Sequence, residues 1–158
     1  MMTKDFLLRL TEEHYGAGAL PVYGRLLEEQ RLTRGGPLLP MWYCTAALRR
    51  AFGGENVLVL GGTNDSLLAH LLGATPVNPL PPHYHCPNCH HLLFDAHADD
   101  GWDLPDLACP QCGAPMAADG HDLRSRSLVG ESIVSLQVPR ERFAPVCAWL
   151  RDYWAQRD

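Results

Sequence analysis

The chain has no apolar run long enough to cross a bilayer, no internal repeat and no low-complexity tract. Its first residues run through Phe6 into an acidic segment with no apolar stretch of secretory-signal length. These absences predict a cytoplasmic protein with no membrane attachment, in a compartment where thiols stay reduced. An excess of positive charge is also missing: 13 Lys and Arg stand against 18 Asp and Glu, a formal net charge of -5. Non-specific nucleic-acid binding depends on neutralising phosphates, so this balance argues against a broad DNA-coating role. No Asp-x-Asp pair occurs in the 158 residues. After Gly61 and Gly62 the next glycine is Gly73, so the dinucleotide-binding G-x-G-x-x-G is not met either.

What is present is a matched pair of cysteine knuckles, Cys86-Pro87-Asn88-Cys89 and Cys109-Pro110-Gln111-Cys112-Gly113, with nineteen residues between them. Two residues between thiolates let both sulfurs of a pair reach one ion from a tight turn. C-x2-C repeated at this distance is the spacing of a tetrahedral zinc site. Proline after the first cysteine pre-sets φ for the turn, and Gly113 after the last tolerates positive φ. Disulfides suit a secreted chain, and a redox C-x-x-C does not usually come twice with the same turn chemistry. The expectation is one Zn2+ held by Cys86, Cys89, Cys109 and Cys112. Four thiolates complete the tetrahedron and leave no open position for a hydrolytic water.

Apolar residues make up 46% of the chain, enough for a real core. The pattern predicts an α+β fold, a small helical and strand domain with an inserted zinc ribbon. Residues 1–82 read as a helical region with one buried strand, 83–122 as the metal module, and 123–158 as a C-terminal strand and helix. A first short helix ends at Gly16 and Gly18. A second starts at Pro21, carries Val22, Tyr23, Leu26 and Leu27 on one stripe, and is broken by Gly35-Gly36-Pro37. A third spans about 39–52 and stops at Gly53-Gly54. The β-branched and leucine run 56–60 predicts a buried strand, followed by a turn and a helix over 65–72 closed by Gly73. Residues 77–82, with Pro79, Pro81 and Pro82, read as a stiff extended linker. A strand is expected over 132–138. A last helix carries Val146, Trp149, Leu150 and Tyr153, with Pro145 in its first turn.

Val77-Asn78-Pro79-Leu80-Pro81-Pro82-His83-Tyr84, followed by the first knuckle, resembles the PolC-type DNA polymerase III alpha subunit of Gram-positive bacteria. So do Gly101-Trp102-Asp103-Leu104-Pro105-Asp106, the second knuckle, and Asp119-Gly120-His121-Asp122. Weaker similarity runs upstream through Tyr15-Gly16, Leu20-Pro21, Arg25-Leu26-Leu27-Glu28 and residues 57–75, and the likeness fades from Leu123 onward. The resemblance implies a slice of the palm region just before the family's catalytic aspartates, and a setting in DNA replication. In that family the loop after the strand reads Gly-Ser-Arg-Gly-Ser and contacts the nucleotide phosphates. Here Leu58, Val59 and Leu60 stand at the first three of those positions, and Gly61 and Ser66 are left as a phosphate-loop remnant. Two-metal phosphoryl transfer needs carboxylates holding two ions about 3.5–4 Å apart. Without the Asp-x-Asp, the chain alone is expected to be inactive as a polymerase.

The resulting expectation is a zinc-binding, nucleic-acid- or replisome-associated accessory module with DNA or a replication protein as partner. The alternatives are a subunit of a split or degenerate polymerase, and a zinc-stabilised protein-interaction adaptor. Arg124, Arg126, Arg140 and Arg142 form the notable basic cluster and are the candidate nucleic-acid contacts, a solvated face being the plainer reading. His83, His85, His90, His91 and His97 read as a solvated rim around the zinc module, with second-shell ligation as the sharper alternative. Asp99, Asp100, Asp103 and Asp106 read as a polar loop tip. Cys44 and Cys147 read as core residues. Phe143, Trp149, Tyr153 and Trp154 read as core or interface rather than a base-stacking platform.

Overall fold

In the computed structural model, which describes residues 2–34, 36–95 and 97–158, the chain is α+β. Gly35, expected to help end the second helix, lies outside the described residues. Helix α1 (Lys4–Tyr15) starts where the Thr3 hydroxyl accepts a hydrogen bond from the Phe6 amide at 3.1 Å. It ends at Gly16, whose φ of 81° and close approach to the His90 side chain both exclude a Cβ. Helix α2 (Leu20–Leu32) takes Pro21 in its first turn, and α3 (Leu38–Phe52) runs to Gly53. The three present Leu7 and Leu10, Val22 and Leu26, and Leu38 and Trp42 to one core. Each fully buried leucine or valine there contributes about 1.5–3 kcal/mol relative to exposure. Trp42 is fully buried and donates its indole N–H to Thr63 Oγ1 at 3.3 Å.

The expected helix over 65–72 is shorter. A 3-10 turn, Gly61–Asp65, leads into α4 (Leu67–Leu71), which gives Leu67, Leu68, Ala69 and Leu71 to the same core. The strand expected to be buried is a half-exposed one. β1 (Leu58–Leu60) buries Val59, while Leu58 and Leu60 are 50% and 46% exposed. It pairs antiparallel with β5 (Ser135–Gln137) alone, Val59 opposite Leu136, so a continuous apolar run here alternates between a covered and an open face. α5 (Phe143–Ala155) closes a second small core of Leu48, Val57 and Val146 with Phe52, Leu136, Trp149 and Leu150. Cys44 is buried as expected. Cys147 is exposed, because α5 buries the face that carries Val146 rather than its own.

The metal module is a three-stranded antiparallel sheet in the order β3 (Leu92–Phe94), β2 (His83–His85), β4 (Ala117–Asp119). Residues 77–82 lack regular secondary structure and bend at Leu80 and Pro82, and they are not a free spacer. Asn78, Pro79 and Leu80 are buried, and their carbonyls accept from the His121, Leu123 and Asp122 amides, each at 3.0 Å. Gly120, at φ 103°, passes directly against the Pro81 carbonyl where a side chain has no room.

Candidate metal centre

The two knuckles are built alike. In the first, the Cys86 amide donates to the His91 carbonyl at 2.9 Å and the His90 amide donates to the Cys86 carbonyl at 2.9 Å. In the second, the Cys109 amide donates to Ala114 at 2.7 Å and the Gly113 amide to Cys109 at 2.8 Å. The residue four past each leading cysteine is left-handed: Gly113 at φ 78°, as its sequence position suggested, and His90 at φ 63°. His90 therefore does in the first turn what a glycine does in the second. Backbone N–H groups also point at sulfur, Cys89 to Cys86 Sγ and Gln111 to Cys109 Sγ, both at 3.4 Å.

These turns bring all four sulfurs within 4.8 Å of one another. Two separations that cross between knuckles, Cys86 to Cys112 and Cys89 to Cys109, are each 3.5 Å. That is far beyond a disulfide bond of about 2.05 Å. It is close to the edge, about 3.8 Å, of a tetrahedron with metal–sulfur bonds of about 2.3 Å. Cys86 and Cys109 are buried, while Cys89 and Cys112 are exposed. Hydrogen bonds from the Asn88 side chain and the Ala114 amide pull the Cys112 thiol down, while hydrogen bonding to the same sulfurs pushes Cys89 up, so the thiols of the cluster share their protons unequally. Sulfur donors, their spacing and the amides aimed at them suit a soft or borderline cation; the four cysteines could hold one metal ion.

The expected solvated histidine rim holds only for part of the set. His83 is 1% exposed and donates its Nδ1–H to the Pro81 carbonyl at 2.8 Å. Its Nε2 faces the Tyr15 hydroxyl at 3.4 Å, which in turn accepts from Asn78 Nδ2 at 2.8 Å. Burial pushes the Tyr15 phenol up to about 12 and pulls His83 down. His85 is half-buried and packs on the Tyr15 ring at 4.9 Å and on His90 at 5.5 Å. His90 and His97 are exposed, and His91 is half-buried. Tyr15, Asn78 and His83 thus tie the end of α1 to the metal module. All three lie in PolC-like stretches of the sequence, which carry no local sign of this contact. Within the acidic run, Asp100 caps the Gly101–Asp103 turn through the Trp102 amide and meets His121 Nδ1 at 2.7 Å. Those two bonds hold its carboxyl below the ordinary range.

Around the phosphate-loop remnant the decisive residue is Glu29 on α2. Ser66 is fully buried; its oxygen accepts from the Ala69 amide at 3.0 Å and its hydroxyl donates to Glu29 Oε2 at 2.9 Å. The Leu67 and Leu68 amides donate to Glu29 at 2.7 and 3.1 Å, and Arg25 Nε donates to Oε1 at 2.8 Å. Arg25 also donates to the Asp65 and Leu123 carbonyls. The amides offered to a phosphate are thus taken by a carboxylate of the chain itself. Gly61 lies apart from this network and is exposed. The signal for Glu29 was weak: one more acid among Glu28, Glu29 and Arg31.

Arg124, Arg126, Arg140 and Arg142 are all exposed. The first pair flanks or lies on a 3-10 turn, Ser125–Leu128, packed on α2; the second lies on another, Arg140–Arg142, leading into α5. The structure sets the four on two separate turns.

Curated relatives match the chain over part of its length. A protein of Thermotoga petrophila is 51% identical over 72 residues, 44% of this chain and 5% of its own length. One of Bacillus subtilis (strain 168) is 49% identical over 72 residues, again 44% and 5%. One of Latilactobacillus sakei is 39% identical over 124 residues, 75% of this chain and 8% of its own. All three bear the name DNA polymerase III PolC-type. The chain resembles a segment of PolC-type DNA polymerase III. It spans 5–8% of the length of these relatives, and no protein-family model matches it.

Proposed function

We propose that this chain is a zinc-binding relative of the PolC palm segment that performs no nucleotidyl transfer by itself and serves as an accessory module at nucleic acid or the replication machinery. In this reading Cys86, Cys89, Cys109 and Cys112 hold one Zn2+, which when bound supplies a closed structural crosslink between β2, β3 and the second knuckle. The four converging thiols support the metal-stabilised frame, and the relatives named PolC-type DNA polymerase III support the replication setting.

The observation that carries the inactive reading is the absence of any Asp-x-Asp in the chain. Two further features support it. Leu60, half-exposed on β1, stands where the similar family carries its phosphate-contacting arginine. The Glu29 carboxylate takes the Leu67 and Leu68 amides at the start of α4, leaving neither for a phosphate. Nucleic-acid contact, in this reading, comes from Arg124 and Arg126 past the zinc module and from Arg140 and Arg142 before α5, since the net field of the chain is repulsive. The three-part division at 82 and 122 belongs to the same proposal.

The test is direct. Zinc-loaded protein is titrated with single- and double-stranded DNA at two salt concentrations, and separately supplied with primer–template, deoxynucleotides and Mg2+. Salt-sensitive binding without extension is the expected result. Template-dependent extension that survives contaminant controls overturns the inactive reading, and no binding at low salt overturns the nucleic-acid role.

A further inference from the structure

The face between α3 and α5 is built from residues outside the four-cysteine cluster. Tyr43 and Arg50 on α3 line, with Pro40 and with Tyr153, Trp154 and Arg157 of the α5 region, a groove of about 350 Å³. Tyr43 is 43% exposed and Trp154 37%. The Arg157 guanidinium sits 3.6 Å over the Tyr153 ring, with one N–H donating to the Tyr153 carbonyl at 3.0 Å. Trp149 stacks on Tyr153 at 5.1 Å, and Trp154 meets it edge-on at 5.4 Å. The groove is therefore an aromatic concavity held in shape from behind, with a guanidinium from each side and no carboxylate among its described lining residues.

We propose that this groove binds a short acidic peptide segment of a partner protein, seating one bulky apolar side chain against Tyr43 and Trp154 with flanking carboxylates on Arg50 and Arg157. Charge complementarity selects the occupant: two cations and no anion line a groove on a chain of net charge -5. A rigid aromatic floor with arginine is the composition of an interface anchor site. Planar guanidinium groups suit carboxylates in a bidentate pair. A nucleic acid fits less well. The Tyr153 ring is already engaged by Trp149 and by Arg157, so the groove lacks a run of free ring faces for successive bases. The volume suits one or two side chains rather than an extended strand.

The experiment selects a random-peptide phage library on the zinc-loaded full chain and measures the enriched peptides by fluorescence anisotropy, with an oligothymidylate of twelve nucleotides in parallel. Enriched sequences are expected to combine Asp or Glu with one aromatic or branched apolar residue. Trp154→Ala is expected to weaken them by about 5-fold or more, as truncation of an aromatic anchor does. The double charge reversal Arg50→Glu, Arg157→Glu is expected to abolish binding, while wild-type zinc content and circular dichroism show that these surface variants fold. No enrichment, enrichment without acidic residues, or affinities indifferent to both variants overturns the proposal. So does oligothymidylate binding that disappears in the same variants without any acidic peptide, which assigns the groove to nucleic acid instead.

Discussion

Replacing Glu29 tests the claim that an internal carboxylate fills the start of α4. The side chain is 1% exposed and accepts from four donors: the Leu67 and Leu68 amides, the Ser66 hydroxyl and Arg25. Glu29→Gln keeps the shape but turns one oxygen into an NH2 group. Whichever oxygen is replaced, that NH2 faces two donors, since Oε1 serves Leu67 and Arg25 and Oε2 serves Leu68 and Ser66. Two charge-assisted bonds at about 1.5–3 kcal/mol each are removed, and Arg25 keeps a half-buried charge without its counterion. The expected loss is about 3–5 kcal/mol, or roughly 6–20 °C in Tm for a chain of this size. Urea and thermal unfolding with zinc saturating measure it, with the exposed Glu13→Gln as control. Burial, opposed by the Leu68 and Leu67 amides, Arg25 and Ser66, pushes the Glu29 carboxyl above its ordinary range. A raised folded pKa means the native state holds the proton more tightly than the unfolded chain. Any stability from this titration is then full at low pH and lost as pH rises through the folded value. The substitution loss is read at pH 7. A Glu29→Gln variant within 1 kcal/mol of wild type refutes the network as a structural element.

Other outcomes are as definite. Metal analysis of protein in reducing buffer is expected to give one zinc per chain, and Cys109→Ser to lose it; a Cys109→Ser protein with full zinc removes this ligand set. Chelation is expected to expose amides of 83–122 to hydrogen exchange well before those of α1–α3, because metal and module fold together while the helices keep their own core. Burial holds His70 and His83 below the usual histidine range, so the unfolded chain takes up their protons first. Stability is expected to fall as pH drops through about 6.5, and His70→Gln and His83→Gln to flatten that slope; an unchanged slope in both removes them as its source. If duplex DNA is bound through Arg124 and Arg126, changing both to Ala lowers the log–log salt slope by about 0.9 for each phosphate no longer neutralised, and an unchanged slope excludes them.

Which parts of this protein were legible in its sequence follows from how local each signal is. The cysteine knuckles were legible because each is closed by bonds within six residues, so proline, glycine and spacing specify the turn. The helices were legible because apolar periodicity and glycine stops act over one or two turns. The PolC-like stretches were legible as words in order, and the curated relatives bear that resemblance out. Three other features came only from tertiary structure. The sequence could not say that the 56–60 run would pair with a single distant strand and leave Leu58 and Leu60 open. Nor could it tell Glu29 from Glu28: adjacent on one helix, one accepts from the start of α4 some forty residues on, the other is exposed and meets Ser125. His83 and Tyr15 are 68 residues apart, and only the packing of α1 on the metal module turns an expected solvated histidine into a buried link. Composition and periodicity report which face of a segment is apolar. The partner that covers a face, and the donors that meet a buried charge, are set by long-range contacts that no local window contains.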